Sequence, residues 1–550
     1  MTSPIFIIST IFGLPALVIS ILSQAEFWQR KEYRLDRVLA ALLSPELSSA
    51  IRPYVSALIF AVIGWVFLSR GNLPLANAVG FVGLIIILGY HLKRAVDKGF
   101  FRPRPTTKAM LLLLTTALLT IAYLFNSSFP KLVPFLHWAT VVLLIPAMAG
   151  LAVNIINLLT DWRKHQIINQ AARHRQKLTR LKVIGITGSY GKTSTKHFLA
   201  QLLPDAVISR EHRNSEFPIA QDMLEQLNPA SQIYIVEMGA YCRGEIKTLA
   251  NLTLPHIGII TAIGNQHLAT FGSPEKILQT KWELIEALPK DGIAILNADD
   301  HQLQKQRVTL LGDLQAGAGK TPGVDGETPR VEEAPASTIY YSTKKPADIY
   351  VENIDVKPLA ISCCLHIKDY SSNIDIPLAG EASLGSVAAA VTAAHALGVD
   401  PDQIIDRLKH LEPYPKTMET IITKEGSTVI DDSYSANEQG VLAAIHHLRC
   451  FTQSDKRIVL VPLIELGNQA KAAHRRIGQA LAESGATVYI YGNAYQKELM
   501  PNFKNNNKIH IITKPKDLHS RVTKNLTPQT VILLEGRLPK YESHFPVSKH

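Results

Sequence analysis

The sequence is poor in cysteine. It has four cysteines in 550 residues, and none of them forms a Cys-X-X-Cys pair (Cys242, Cys363, Cys364 and Cys450). This number and spacing provide neither a disulfide framework nor a zinc knuckle, and they are typical of a reducing compartment. The C-terminal part also lacks a Gly-X-Gly-X-X-Gly string, which leaves dinucleotide binding with little support.

Acidic residues are scarce only in the N-terminal part. Residues 1–182 contain 20 Lys and Arg against 6 Asp and Glu, whereas the remaining residues contain 37 against 40. The net charge of +11 therefore belongs to one region. A globular domain that binds nucleic acid would carry such charge on its own folded surface, so this distribution argues against nucleic acid as a partner.

Long apolar runs are confined to the same region. A helix needs about 20 mostly apolar residues to cross the hydrocarbon core of a membrane. The sequence predicts five such helices, at residues 4–23, 55–68, 75–92, 109–125 and 134–159. A reading with three spans and re-entrant segments stays open because the second run is short. No Asp, Glu, Lys or Arg lies inside a run, which favours a lipid-facing anchor over an ion or proton pump.

The loops between these runs alternate in charge. Residues 24–53 carry five Lys or Arg, residues 93–108 carry six, and further basic residues follow residue 159. Positively charged loops stay in the cytoplasm. We therefore expect a multi-pass protein of the inner (cytoplasmic) membrane with its N-terminus outside and everything after residue 161 in the cytosol.

A phosphate-binding loop follows the membrane region. Residues 183–200 read VIGITGSYGKTSTKHFLA, which predicts a strand, a glycine turn and a helix. In that arrangement the loop N–H groups and the helix N-terminus bind an anion. Gly188 and Gly191 let the backbone approach phosphate, Lys192 reaches the β- and γ-phosphates, and the Thr193 hydroxyl holds magnesium. A second Gly-Lys-Thr, at 319–321, lies in a stretch rich in Gly, Pro and Ala and is interpreted as a surface loop.

The shortened TGSYGKT form resembles the Mur ligase family, the ATP-dependent enzymes that build the peptidoglycan stem peptide, and its folylpolyglutamate synthase relatives. Similar strings follow in the family's order: NSEFP at 214–218, EMGA at 237–240, IGNQHLATFGSPEKILQTKWELI at 263–285, ILNADD at 295–300, DDSYSAN at 431–437 and ELG at 465–467. The resemblance covers about residues 181–540. The EMGA and HLATFGS strings favour the MurF branch, which adds D-alanyl-D-alanine.

The resemblance implies the site residues. Thr193 and Glu237 would hold one Mg²⁺, and His267 would help to hold a second. Lys281 would be carbamylated by carbon dioxide and so become an anionic metal ligand. Lys192, Lys281 and His267 would then be the catalytic residues. ATP would bind at the loop, with an adenine-side Asn and a ribose-side Asp further along the chain (Gly188, Ser189, Gly191, Lys192, Thr193, Ser194, Asn297 and Asp432).

The sequence departs from the family at several positions. The GxHNxxN string appears as GEASLGS at 380–386, and Glu535-Gly536-Arg537 replaces the terminal KGS. Thr417 stands at the expected Arg after the interdomain linker, and Ala269 stands at the expected Glu. Membrane runs occupy the place of the soluble domain that usually binds the uridine nucleotide. The substrate is therefore either a UDP-muramoyl peptide held by the remaining domains or a lipid-linked equivalent.

The predicted architecture is an α-helical membrane region followed by two α/β domains. We expect a membrane region at 1–165, a basic linker at 166–180, a central ATP-binding domain with a parallel sheet and phosphate loop at 181–411, and a Rossmann-like C-terminal domain at 412–550. Residues 346–378 are expected to add an antiparallel piece.

Three functions remain open at this point. The first is a membrane-anchored ligase of peptidoglycan precursor synthesis that joins a carboxylate to D-alanyl-D-alanine or another amine. The second is a ligase for poly-γ-glutamate or another amide polymer. The third is a catalytically weakened membrane scaffold of wall synthesis.

Overall fold

The computed structural model divides the chain into two units, residues 1–166 and 167–550. It describes residues 4–30, 33, 45–98, 103–126, 133–264, 271, 273–305, 337–434, 437–463, 469–501, 508–536 and 538. Each unit is described by itself.

The N-terminal unit is helical. Its helices are α1 (Pro4–Arg30), α2 (Pro45–Ser69), α3 (Leu73–Lys98), α4 (Thr107–Asn126) and α5 (Pro134–Lys177). Four of them, α1, α3, α4 and α5, are long and apolar enough to cross a membrane. In α2 the described apolar part, Ala57–Ser69, is shorter. The helices coincide with the five predicted runs, and the number of spans stays a prediction.

Small residues bring these helices close together. A Cβ added to Gly80 of α3 would lie 2.4 Å from the Cα of Leu136 on α5, and one added to Gly13 of α1 would lie 2.2 Å from the Trp138 ring. Close approach at glycine is typical of helices packed in lipid. Large apolar side chains meanwhile point outward along the unit, among them Ile11, Val62, Leu114 and Leu158.

The second unit begins with a sheet that has nine strands among the described residues. The strands are β1 (Lys182–Thr187), β2 (Val207–Ile208), β3 (Ile233–Glu237), β4 (Ile257–Ile260), β5 (Ile293–Asn297), β6 (Ser337–Ser342), β7 (Ile349–Val356), β8 (Ile361–Ile367) and β9 (Tyr370–Ile376). Their order is β2-β3-β1-β4-β5-β6-β7-β8-β9. Pairing is parallel from β2 to β7, and the last two pairs are antiparallel. The antiparallel piece predicted at 346–378 is therefore confirmed.

Helices cover both faces of this sheet. They are α6 (Lys192–Leu202), α7 (Glu216–Gln226), α8 (Glu245–Thr253), α9 (Pro274–Glu286), α10 (Ser383–Ala396) and α11 (Pro401–Leu408). Along β1, Ile184 and Ile186 pack with α6 and α10, whereas Val183 packs with α7, α8 and α9 on the opposite face. Strands buried on both faces must be apolar at every position, which explains the continuous runs in the sequence.

The described part of the C-terminal domain contains a sheet of six strands. They are β10 (Glu419–Ile422), β11 (Thr428–Asp432), β12 (Asp455–Leu460), β13 (Thr487–Tyr491), β14 (Ile509–Ile512) and β15 (Thr530–Glu535), in the order β10-β11-β15-β12-β13-β14. Only β10 pairs antiparallel. The described helices are α12 (Glu438–His447), α13 (Ala470–Glu483), α14 (Gln496–Leu499) and α15 (Pro515–Val522). The predicted fold class is confirmed in both domains.

The predicted basic linker is helical over most of its length. Residues 166–177 belong to α5, and Ala171 and Leu178 pack in the hydrophobic cluster of the α/β unit. Arg175 is buried and donates from its guanidinium to the carbonyl oxygens of Leu178, Leu181, Thr253 and Leu254. Arg175 therefore provides hydrogen-bond donors for carbonyl groups that lie at the ends of α5 and α8 and just before β1.

Candidate active site

The phosphate loop connects β1 to α6 at the carboxyl edge of the sheet. Gly188 has φ +152° and Gly191 has φ +80°, conformations that favour glycine. A Cβ on Gly188 would lie 1.9 Å from the Thr261 hydroxyl oxygen, so no larger residue fits there. The N-terminus of α6 has no side-chain cap, because its N-cap residue is Gly191. Its N–H groups are therefore available for an anion.

Lys192 and Thr193 begin α6 and point to different partners. The Lys192 ammonium donates to the Gly188 carbonyl at 2.8 Å, so it lies over the loop. Burial lowers the pKa of Lys192, and the nearby Glu237 carboxylate partly offsets that shift. The Thr193 hydroxyl donates to Glu237 Oε2 at 2.9 Å. Ser194 follows in the same turn and is partly exposed.

Glu237 ends β3, beside β1, and several groups fix its carboxylate. Lys196, buried on α6, lies 3.6 Å from Oε2 and also donates to the Ser209 carbonyl at 2.9 Å. Asn214 donates to Oε1 at 3.5 Å. The acid therefore ends a parallel strand where the strand order reverses, the position at which ligands bind in such sheets.

Lys281 lies on α9 and is 5% exposed. Burial lowers its pKa well below the ordinary value, and the positive charge of Lys192 lowers it further. Both effects oppose the charged form of the Lys281 side chain. Glu283, on the same helix, accepts hydrogen bonds from the backbone N–H groups of Gly244 and Lys247 at 2.8 and 3.0 Å, which fixes α9 against the start of α8.

Asn297 ends β5 and is tied to the loop through Thr261. Its side-chain amide donates to the Thr261 carbonyl at 2.9 Å, and the Thr261 hydroxyl donates to the Tyr190 carbonyl. Ser189 also joins this network, since its hydroxyl accepts from the Gly264 N–H at 2.9 Å. The structure therefore places Asn297 beside the phosphate loop, since Thr261 contacts both the Asn297 amide and the Tyr190 carbonyl.

Asp432 lies at the end of β11 in the C-terminal domain. It accepts from the Met418 N–H at 3.1 Å, and none of its hydrogen bonds among the described residues reaches the phosphate loop. Burial, with a contribution from Asp431, raises the pKa of Asp432 to about 7. Its register partner on β15 is Glu535, which is fully buried, and burial and Asp432 raise the pKa of Glu535 well above its ordinary value.

Some predicted residues lie outside the described part of the chain. These are His267, the second Gly-Lys-Thr at 319–321, Ala269, two residues of the DDSYSAN string, the ELG string at 465–467 and Arg537. Their predicted roles stay predictions.

Sequence reasoning missed three residues that shape the site. Lys196 pairs with Glu237, Thr261 supports the loop, and Asp300 accepts from the Ile263 N–H at 2.7 Å. One signal was available, because Lys196 lies four residues after Lys192 and so on the same face of α6. In the altered GEASLGS string, Ser386 lies next to the loop, its hydroxyl 3.5 Å from the Gly191 carbonyl oxygen.

Comparison with known families agrees with this geometry. Residues 186–312 match the Mur ligase middle domain, and residues 418–538 match the Mur ligase glutamate ligase domain. Two segments of the chain therefore match domains of the Mur ligase family. The family resemblance predicted from the sequence is therefore confirmed for these domains.

Individual proteins are similar to the Mur ligase part of the chain. The UDP-N-acetylmuramoyl-tripeptide–D-alanyl-D-alanine ligase of Mycobacterium tuberculosis is 30% identical over 309 residues, which cover 54% of this chain and 56% of that protein. The chain thus spans just over half the length of such relatives.

Two solved structures share the fold. MurF from Acinetobacter baumannii superposes with a TM-score of 0.58 at 23% identity, covering 69% of this chain and 79% of that one. The MurF ligase from Thermotoga maritima in complex with ADP gives 0.55 at 23% identity, covering 67% and 80%.

Proposed function

We propose that this protein is a membrane-anchored, ATP-dependent peptide ligase of peptidoglycan precursor synthesis. The observation that carries the proposal is the contact of Thr193 with Glu237 beside the uncapped start of α6. A nucleoside triphosphate needs an anion-binding loop, a lysine and hard oxygen ligands for its cation at one place. The middle domain has these groups at one sheet edge.

The proposed reaction makes a carboxylate electrophilic. A carboxylate oxygen of the donor attacks the γ-phosphorus of ATP, the bond to the ADP oxygen breaks, and an acyl phosphate forms. The acceptor amine then attacks the acyl carbon, inorganic phosphate leaves with the electron pair of the C–O bond, and the amine loses a proton. The protein positions the reactants and neutralises charge, and Lys192 supplies a cation at the transferred phosphoryl group.

Magnesium and a modified lysine belong to this proposal. The Thr193 hydroxyl and the Glu237 carboxylate are oxygen donors that suit Mg²⁺, and we assign His267 to a second ion. Lys281 would react as the neutral amine with carbon dioxide, forming an N–C bond and releasing a proton. The resulting carbamate would replace repulsion between Lys281 and Lys192 with attraction.

The proposed substrates follow from the relatives. Proteins similar to this chain are named for joining D-alanyl-D-alanine to a UDP-N-acetylmuramoyl tripeptide. We assign that reaction here, with Gly188, Ser189, Gly191, Ser194 and the two lysines at the ATP phosphates, Asn297 on the adenine side and Asp432 on the ribose side. We propose that the membrane region ends at residue 165, the linker at residue 180 and the central domain at residue 411.

The N-terminal unit adds a membrane proposal. Its apolar helices and the basic loops between them support a multi-pass anchor in the inner membrane, with the N-terminus outside and the ligase domains in the cytosol. A lipid-linked tripeptide is then a second donor to test. A reporter fused after His550 tests the topology, and activity of that reporter only in the periplasm would overturn it.

The reaction is tested by phosphate release from the full-length protein in detergent. Assays contain MgATP, D-alanyl-D-alanine and either a UDP-linked or a lipid-linked muramoyl tripeptide. We expect release that depends on both substrates and that falls by about 10³-fold in Lys192→Ala, because the transferred phosphoryl group loses a preorganised cation. Lys320→Ala, in the second Gly-Lys-Thr, is the matched control.

The same assay separates the alternatives. Turnover with glutamate and not with D-alanyl-D-alanine would select the amide-polymer ligase. A protein without turnover on any donor would support the scaffold, and turnover that survives Lys192→Ala would exclude the proposed mechanism.

A further inference from the structure

A cluster of metal-binding side chains lies away from the ATP site, on the antiparallel end of the first sheet. Cys364 and His366 are on β8, and Glu352 is on β7. One donor atom from each of the three lies within 4.8 Å of the others. Strand β7 is four strands from β1 in the sheet order, so this cluster is separate from the phosphate loop.

The strand register puts the three side chains on one face. Glu352 pairs directly with Cys364, and His366 pairs with Tyr350. Residues two apart on a strand share a face. The other face of β8 is buried, with Cys363 and Leu365 in the hydrophobic cluster. The three donor residues therefore lie on the less buried face, where a cation from solvent can reach them.

The His366 ring nitrogen lies close to the donor atoms of both other residues. The Cys364 Sγ lies 3.4 Å from His366 Nε2, and the same nitrogen lies 2.9 Å from Glu352 Oε1. Around zinc, with bonds of about 2.0–2.3 Å, neighbouring ligand atoms lie roughly 3.2–3.6 Å apart. Nε2 faces both other ligands, so a cation can replace the proton shared there once the Nε2–Oε1 separation widens from 2.9 Å to about 3.2 Å.

Two local features hold the ligands in place. The Tyr350 ring stacks on the His366 ring with centroids 4.2 Å apart and planes at 1°, which fixes the direction of Nε2. A bulge lies between Glu352 and Asp355, with Asn353 at φ +53°. Bulges redirect the side chains beside them, and this one lies next to the Glu352 ligand.

We propose that Glu352, Cys364 and His366 form a binding site for a zinc-type divalent cation. The donor set of thiolate, imidazole and carboxylate suits Zn²⁺ or Co²⁺ rather than Mg²⁺, which prefers oxygen ligands. Three protein ligands leave the fourth position to water, and the half-exposed Glu352 keeps that position open. Binding deprotonates the Cys364 thiol, releases protons and links β7 to β8.

The test uses the full-length protein in detergent, titrated with Co²⁺ in excess Mg²⁺. We expect one Co²⁺ per chain with a thiolate-to-cobalt absorption band. Cys364→Ser removes the band, and Glu352→Gln weakens binding by about tenfold or more because a neutral amide replaces an anionic ligand. Cys450→Ser, which changes a cysteine on another element, retains the absorption band.

A second measurement needs no variant. Zn²⁺ should slow alkylation of Cys364 by iodoacetamide at least about tenfold, because the metal-bound thiolate is shielded. Exposed Cys242 in the same chain is the internal control. A cobalt band that survives Cys364→Ser, or a Cys364 alkylation rate that Zn²⁺ leaves unchanged, would overturn the proposal.

Discussion

In the middle domain, Glu237 at the end of β3 lies beside cations, whereas in the C-terminal domain Glu535 at the end of β15 lies beside another acid. Lys196 is 3.6 Å from Glu237, and Thr193 and Asn214 donate to the same carboxylate. Glu535 is fully buried, and its register partner on β11 is the acid Asp432.

The comparison shows that an acid at the same position in a sheet can have neighbours of opposite charge. Both acids end a parallel strand inside a similar fold. In the middle domain a buried cation, Lys196, and two hydrogen-bond donors surround the acid, a setting that suits a metal ion and phosphate. In the C-terminal domain burial and a neighbouring carboxylate raise the pKa of both acids.

Removing the cation that pairs with Glu237 should have the largest effect. Lys196→Met leaves the buried carboxylate without its partner and the Ser209 carbonyl without a donor. We expect a loss of about 3–5 kcal/mol in the free energy of unfolding, the usual cost of breaking a buried ion pair. Denaturant unfolding of the full chain in detergent measures it.

Lys276→Met is the control for Lys196→Met. Lys276 is exposed on α9, so its replacement should change stability by no more than about 0.5 kcal/mol. Equal unfolding midpoints for the two variants would show that the charge pairing in the middle domain contributes little.

Lys281→Ala tests the chemistry at the same edge. The variant removes the group that we propose becomes an anionic metal ligand, and we expect phosphate release to fall by about 10²–10³-fold. Because burial and Lys192 both disfavour the charged form of Lys281, its removal should cost less stability than the loss of Lys196, which pairs with Glu237. Full turnover in Lys281→Ala would exclude a catalytic role for this lysine.

The acid pair in the C-terminal domain predicts a pH dependence of stability. The Asp432 pKa is raised from 3.8 to about 7, so between these values the folded state binds more protons than the unfolded state. Stability therefore falls as the pH rises through this range. Glu535→Gln removes one of the two acids and should add about 1–3 kcal/mol at pH 8, with a smaller gain at pH 4.

Glu535→Lys sharpens the same comparison. A lysine at this position would pair with Asp432 as Lys196 pairs with Glu237, and it would lower the Asp432 pKa. Thermal unfolding measured from pH 4 to pH 8 should then lose its downward slope. A slope that remains unchanged in both Glu535 variants would assign the pH dependence to other groups.

Local sequence was enough to predict the phosphate loop and most strands. A loop of this kind depends on residues that are consecutive, and strands buried on both faces appear as apolar runs. The same reasoning predicted the helices of the membrane region. The extent of the second apolar helix was harder to predict, because its first turns carry polar and charged residues.

Contacts that depend on strand register could not be predicted in the same way. Lys196 and Glu237 are separated by a whole helix and strand, and they meet because β1 lies next to β3. Glu352 reaches Cys364 only through the β7–β8 register and the bulge beside it. The cysteine count and spacing argued against a zinc knuckle, and they gave no information on a site assembled from two strands.

The smallest predicted effect concerns two helices, α6 after β1 in the middle domain and α12 after β11 in the C-terminal domain. In the middle domain α6 begins at Gly191 without a side-chain cap, whereas in the C-terminal domain the Asn437 side chain caps α12 by accepting from the Gly440 N–H at 2.9 Å. An N–H group that a side chain occupies is not available to an anion.

Asn437→Ala should therefore cost about 1 kcal/mol of stability, measured by denaturant unfolding. Inorganic phosphate should recover part of that loss only if the uncapped α12 can bind an anion as α6 is proposed to do. An Asn437→Ala variant as stable as the parent chain would show that the cap contributes nothing, and the contrast between the two helix starts would then rest on Gly191 alone.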